Sequence, residues 1–469
     1  MKIRTTKEYT KVTENQPNLK KEIGVFGGVS ILTGIMVGSG IFFIGAHVLM
    51  RSGFSMGLAL IIWLIGGFIT LLYGLIYGEL GAMLPEAGGY YVYLKKAYGK
   101  PIAFMSGFTN FTLLSSGSIA VLALAFSQIT SNLLLNLFGF TLSNFLQILL
   151  AAILIAGLSI LNFFGIKLGT LVQKIFMVVK IIPIFLIMIL GLLIGTESID
   201  WSLAMNGESI WSILSMIGFA VIATFWAYEG WTNLNNVASE VKNPGKTIPF
   251  SLIITILSVT GLYFLFNMSI FRVLSLEELR VMIVDNESYF IGIPAAMNLL
   301  GTFGLYLAMI TMLISVFGAL NGTIMTFPRV YYAMSKDDIF IDKFKKVHPT
   351  YKTPVNAIIG SGIMAILLLV FSLQDLISMV AFGALVFNTL IFISLFIFRK
   401  KMPNANRPYK AWGYPILPAM TILITLLLVV ATFAEDVRSS LIGTGFVLLG
   451  LPVYYLFDYT KRRNIKIVR

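Results

Sequence analysis

The sequence predicts an all-α integral membrane protein with twelve transmembrane helices. Three observations carry that prediction. Hydrophobic residues make up 57% of the 469 and charged residues 12%, whereas soluble domains carry roughly 25% charge. Apolar runs of the length a bilayer demands, about 20 residues, recur from residue 24 to residue 458. The positive charges between them fall almost wholly on alternate loops.

The runs lie at roughly 24–50, 58–83, 101–130, 143–163, 169–195, 211–236, 247–270, 298–328, 354–373, 376–398, 412–434 and 439–458. They divide the chain into a polar tail at 1–23, a ten-helix core at 24–398, two accessory helices at 399–458 and a second tail at 459–469. Nothing reads as a cleavable signal peptide, because 22 polar residues precede the first run.

An even number of spans puts both ends on one side. With that side taken as cytoplasmic, 28 of the 34 Lys and Arg lie inside, and only Arg51, Arg272, Arg280 and Arg438 lie outside. The other two, Lys174 and Lys180, fall within the fifth run. This is the positive-inside pattern, so both termini are expected in the cytoplasm, with the chain in the plasma (inner) membrane. The net charge of +13 therefore reports topology and not a nucleic-acid surface.

The first run contains Thr33-Gly-Ile-Met-Val-Gly-Ser-Gly-Ile-Phe42. Each of Gly34, Gly38 and Gly40 weakens a helix by roughly 0.8–1 kcal/mol relative to alanine. Two readings stand: small residues spaced for close helix packing, as Gly34 and Gly38 are, or a helix broken at mid-membrane beside a cavity. In the second run Glu79, flanked by Gly78 and Gly81, reads as a helix-end anchor. Gly88-Gly89-Tyr90-Tyr91 marks a cytoplasmic loop, and Phe163, Phe164 and Phe176 read as packing.

In the fifth run Lys174 is near enough to the interface to snorkel. Lys180 lies about two turns deeper. The sixth run centres on Phe225-Trp226-Ala227-Tyr228-Glu229-Gly230-Trp231, with a carboxylate and a glycine at mid-membrane. Inserting Lys180 or Glu229 costs at least about 2.5–3.5 kcal/mol, which makes each a functional candidate. The first and sixth runs are thus both disrupted. Their odd offset gives them opposite orientation, so spans 1–5 and 6–10 form an inverted repeat with two spans added.

Between spans, 271–297 is expected to lay short helices across the outer face, and 329–353 to form a solvated connector. Pro244-Gly-Lys-Thr247 resembles the end of a phosphate-binding loop but lacks the upstream glycine and a preceding strand. It reads as a loop, with Thr247 capping the next helix. There is no cysteine, and only His47 and His348. Disulfides, thiol nucleophiles, Cys-ligated metal and a His-based metal cluster are therefore excluded. No catalytic residues and no cofactor are expected.

Six motifs then follow in order along nearly the whole chain. They are Gly34-Ile-Met-Val-Gly-Ser-Gly-Ile-Phe42, Pro85-Glu-Ala-Gly-Gly-Tyr90, Trp226-Ala-Tyr-Glu-Gly-Trp231, Ser239-Glu-Val-Lys-Asn-Pro244, Phe317-Gly-Ala-Leu-Asn-Gly322 and Phe327-Pro-Arg329. Together they resemble the L-type amino acid transporters of the amino acid–polyamine–organocation superfamily, the bacterial serine/threonine exchangers in particular. The resemblance implies the leucine-transporter fold with helices 1 and 6 broken, and sodium-independent obligatory exchange. Two departures matter. Ile35 stands where the family commonly has threonine, which removes one hydroxyl contact. The animal light chains use an outer-loop cysteine to bond a heavy chain, and this sequence has none, so no disulfide-linked heavy chain is expected.

Two antiparallel helices broken at one depth would turn free N–H groups and carbonyls toward one cavity. Those groups complement the carboxylate and ammonium of an amino acid. The expected substrate contacts are Ile35, Val37, Gly38, Ser39 and Gly40 from the first run and Phe225, Trp226, Ala227 and Glu229 from the sixth. Ser39 and Gly40 would take the carboxylate, the carbonyls of Ile35 and of Phe225 to Ala227 the ammonium, and Trp226 would cover the site as a gate. The resemblance further implies that the Lys180 ammonium replaces the cation that sodium-coupled relatives hold between helices 1 and 8. The expected partners are the lipid bilayer and a neutral L-amino acid such as serine, threonine or alanine, with transport by alternating access. Proton-coupled uptake through Lys180 or Glu229, and acceptance of dibasic amino acids through Glu229, stand as alternatives.

Overall fold

In a hydrocarbon setting every backbone polar group must find its partner within the chain, which leaves the helix as the economical solution for these runs. The computed structural model describes residues 19–38, 40–201, 210–285 and 289–468. Among them the regular structure is helical: α1 (Val25–Met36), α2 (Gly40–Arg51), α3 (Met56–Met83), α4 (Tyr90–Tyr98), α5 (Lys100–Thr109), α6 (Ser115–Phe138), α7 (Asn144–Phe163) and α8 (Ile166–Ile194). There follow α9 (Ile210–Tyr228), α10 (Pro244–Val273), α11 (Gly292–Thr326), α12 (Pro328–Lys336), α13 (Val355–Leu367), α14 (Leu373–Lys401), α15 (Ile416–Glu435) and α16 (Val437–Val468).

Among the described residues, nine helical stretches are long and apolar enough to cross a membrane, and α1 with α2, which meet at a bend of 50°, make a tenth if taken as one. The remaining two of the twelve expected runs form shorter apolar helices, Met216–Tyr228 and Val355–Val370. Outward faces of α7, α8, α13 and α15 expose large apolar side chains such as Ile160, Leu193, Ile363 and Leu427, a surface suited to lipid.

Local chemistry explains the helix ends. Ser55, Ser143 and Ser372 each accept a backbone N–H at the start of α3, α7 and α14, the N-cap role. One expectation is corrected here. Thr247 does not cap α10, because the helix begins a turn earlier at Pro244, a residue favoured at the first helical position. The Thr247 hydroxyl donates instead to the Lys242 carbonyl at 2.7 Å. The segment after α10 holds a short helix, Leu276–Arg280, started by a capping box between Ser275 and Glu278.

The centre of the molecule is α1, packed on α8, α10 and α11, and α9, packed on α2 and α3. Two charge clusters tie this centre to its surroundings. Glu79 is fully buried and takes Nε and Nη2 of Arg399 at 2.8 and 2.7 Å, with the Ala411 N–H at 2.7 Å. Arg407 stands 3.3 Å from the same carboxylate. Glu79 therefore joins α3 to the end of α14 and the loop beyond it. Ahead of α1, the N–H groups of Glu22 and Ile23 donate to the Glu240 carbonyl at 2.9 and 3.0 Å, and Lys242 N–H donates to Ile23 at 2.8 Å. The buried Glu240 carboxylate in turn accepts from Arg329 Nε of α12 at 2.9 Å.

Candidate substrate-binding site

Helix α1 stops at Met36, and Val37 leaves helical geometry at φ −79° and ψ 69°. The chain resumes as α2 at Gly40; Ser39 lies outside the described residues. Helix α9 stops at Tyr228, and Gly230 follows with φ +116°, a conformation that side chains other than glycine rarely adopt. A single turn, Asn233–Asn236, continues beyond it. The two helix ends touch. A β-carbon on Gly40 would stand 2.9 Å from the Ala227 Cα, and one on Gly230 would stand 2.5 Å from a methyl of Ile35. Small residues thus serve both readings of the sequence at once, allowing a bend in the chain and close approach.

Ending a helix in an apolar interior strands carbonyls that must be partnered. Two side chains supply the partners. Lys180 of α8, with no solvent exposure, donates from Nζ to the Gly34 carbonyl at 2.8 Å and to the Val37 carbonyl. From the other side, the Tyr263 hydroxyl of α10 lies 2.6 Å from the Met36 carbonyl and 2.8 Å from the Ala227 carbonyl. Tyr263 packs edge-on against Trp63, whose carbonyl accepts the Tyr228 hydroxyl at 2.8 Å.

A cavity of about 40 Å³ opens between these helix ends. Ile35, Gly38, Gly40, Trp226 and Glu229 line it, with Met36 and Gly230. Opposite stand Ser118 and Leu122 of α6, Asn233, Thr323 of α11 and Phe327. The other expected contacts sit elsewhere. Val37 and Ala227 are buried with their carbonyls engaged by Lys180 and Tyr263, and Phe225 stacks on Tyr73 with ring centres 5.7 Å apart. Glu229 also borders a second cavity of about 50 Å³, whose polar lining includes Tyr77, Asn110, Ser115, Thr232 and Asn388. Tyr77 donates to the Asn388 amide oxygen there at 2.7 Å.

Beside the break, a buried chain of amides connects three helices. Asn162 of α7 donates to Asn321 of α11 at 2.9 Å, and Asn321 donates to Gln173 of α8 at 3.1 Å. Gln173 fills the space that a side chain on Gly34 would need, 1.9 Å from a β-carbon built there. Sequence reasoning singled out none of Tyr263, Ser118, Gln173 or Asn162. Asn321 and Phe327 were visible as members of the quoted motifs.

Membrane-length apolar helices packed around an internal cavity, at the ends of α1 and α9, are the architecture of a multispanning membrane protein. The chain belongs to the amino acid permease family, whose model matches residues 23–457. It is 34% identical over 446 residues to the serine/threonine exchanger SteT of Bacillus subtilis, covering 93% of this chain and 97% of that one. Identity is 31% over 451 residues to the human large neutral amino acids transporter small subunit 2, covering 95% and 82%. It is 29% over 451 residues to the human cystine/glutamate transporter, covering 95% and 86%. These relatives are transporters and exchangers, and the chain is a transporter of this class, not an enzyme.

Proposed function

We propose that this protein is a sodium-independent exchanger of neutral L-amino acids such as serine, threonine and alanine. In this reading it has twelve spans, the first and sixth broken, and both termini on the cytoplasmic side. The observation that carries the proposal is the Lys180 ammonium on the carbonyls of Gly34 and Val37. A fixed cation at the break does the work of a bound sodium ion, so transport needs no ion gradient. The substrate carboxylate would sit at the free N–H groups where α2 begins, near Ser39 and Gly40. Its ammonium would take the carbonyl of Ile35 and those of the α9 end that Tyr263 leaves free. Trp226 would cover the substrate as a gate.

A cavity of about 40 Å³ holds a few water molecules, each needing about 10–15 Å³ of such space. A whole amino acid is larger, so its entry requires the surrounding helices to part, first on one side and then on the other. With no cysteine in the sequence, the carrier would work without a disulfide-linked partner. Proteoliposomes test the proposal. Uptake of labelled serine should require internal amino acid and should ignore sodium. Uptake into empty vesicles driven by a pH gradient would instead establish proton coupling.

A second reading has one observation in its favour, the place of Glu229 between the two cavities. A substrate side chain extending into the polar second cavity would pass this carboxylate, and a cationic one would be attracted. Competition against labelled serine separates the readings. Strong arginine competition that disappears in Glu229→Gln would make the protein a carrier of dibasic amino acids as well.

A further inference from the structure

The end of α14 and the loop leading to α15 form a strongly basic segment. Some lysines of other loops meet carboxylates: Lys345 pairs with Asp338 and Asp342, Lys95 with Asp337, and Lys96 with Glu86. Residues 399–415 carry five cations and no acid. Among the described residues, no carboxylate pairs with Lys400 or Lys410, and both side chains are exposed.

The loop is also concave and stiff. It borders an open hollow of about 590 Å³ lined by Arg399, Lys400, Asn406, Arg407, Lys410 and Tyr414. The two arginines are fixed in its wall. Arg399 is held by Glu79 and lies over the Tyr414 ring at 4.4 Å. Arg407 donates to the carbonyls of Phe398 and Met402 at 3.0 and 2.8 Å. Glu79 offsets one of these charges, and the two free lysines remain. The rim is apolar and aromatic: Trp412, Tyr414 and Ile416 are exposed where α15 begins. Aromatic residues concentrate at the headgroup level of a bilayer, and basic clusters beside a membrane helix attract anionic lipid.

We infer that this cavity binds the phosphate headgroup of one anionic glycerophospholipid. The arginines supply fixed positive potential, Lys400 and Lys410 donate to phosphate oxygens, and Trp412 and Ile416 meet the start of the acyl chains. A soluble phosphate shares the headgroup chemistry but gains nothing from that apolar rim, which favours the lipid.

The test is native mass spectrometry of the full chain in detergent, titrated with phosphatidylglycerol or phosphatidylcholine. The wild type should retain phosphatidylglycerol preferentially. Lys400→Gln/Lys410→Gln should weaken that retention roughly thirtyfold, the scale set by two interfacial lysines. Lys400→Arg/Lys410→Arg should preserve it, and Lys242→Gln/Lys246→Gln, which removes equal charge elsewhere on the same face, should leave it unchanged. Undiminished retention in the Lys400/Lys410 glutamine variant overturns the inference, as does an equal loss in the Lys242/Lys246 variant. Displacement of the lipid by equimolar inorganic phosphate would assign the cavity to a soluble anion and overturn it too. Because binding is read directly, failure here leaves the transport proposal standing.

Discussion

The Tyr263 hydroxyl lies 2.8 Å from the carbonyl oxygen of Ala227 at the end of α9, and the same hydroxyl lies 2.6 Å from the Met36 carbonyl at the end of α1. One proton therefore serves two helix ends in turn. Lys180 approaches the α1 end from the opposite side, so the interruption is held between a tyrosine and a lysine.

Tyr263→Phe keeps the ring and removes that donor. A buried carbonyl left unpartnered costs roughly 1–3 kcal/mol. The variant should fold with a lowered melting temperature and should exchange serine at least several-fold more slowly. An unchanged exchange rate would show that the bridge has no part in transport.

Lys180→Ala removes a buried charge but strands the carbonyls of Gly34 and Val37. Exchange should fall to near background while the protein still elutes as a folded species. The matching expectation for the wild type is equal uptake in sodium, lithium and choline buffers. Uptake that needs sodium would refute the role given to the lysine.

Gly40→Ala places a β-carbon 2.9 Å from the Ala227 Cα and 3.1 Å from its Cβ. The nearer atom is backbone, so Ala227→Gly cannot relieve the contact. Exchange should be lost in Gly40→Ala and should stay lost in the Gly40→Ala/Ala227→Gly pair. Rescue by the second change would mean that side-chain crowding alone explains the first.

Glu79→Gln tests a structural role, away from the cavity. Breaking a buried ion pair costs roughly 3–5 kcal/mol, and the partial exposure of Arg399 puts this case at the low end. Thermal stability in detergent should drop, with the KM for serine unchanged. A changed KM and unchanged stability would move Glu79 into the transport machinery.

What could be read in advance follows from the physics. Gly34, Gly38, Gly40 and Gly230 stand out because a helix tolerates them poorly, and Lys180 and Glu229 because a bilayer does. Tyr263 carries no such mark. It is an aromatic residue in an apolar helix, and only the fold shows that its hydroxyl meets two carbonyls. The amides Asn162, Gln173 and Asn321 come from three helices far apart in sequence, so their chain is invisible before assembly. Phe225 and Trp226 are neighbours of one chemical kind, and helical rotation alone puts Trp226 at the cavity and Phe225 against Tyr73. The runs 211–236 and 354–373 are apolar enough to cross a membrane, but the turn after Tyr228 and the tighter turn at Leu368–Val370 shorten their helices, a matter of backbone geometry that composition does not encode.

Glu240 binds the approach to α1 with its main chain and Arg329 of α12 with its side chain. The pairing is single: among the described residues Glu240 Oε2 and Arg329 Nη2 find no hydrogen-bond partner. Loss of the carboxylate would leave the Arg329 charge buried without its counter-charge, while the Glu240 carbonyl would keep its two N–H donors from the segment ahead of α1.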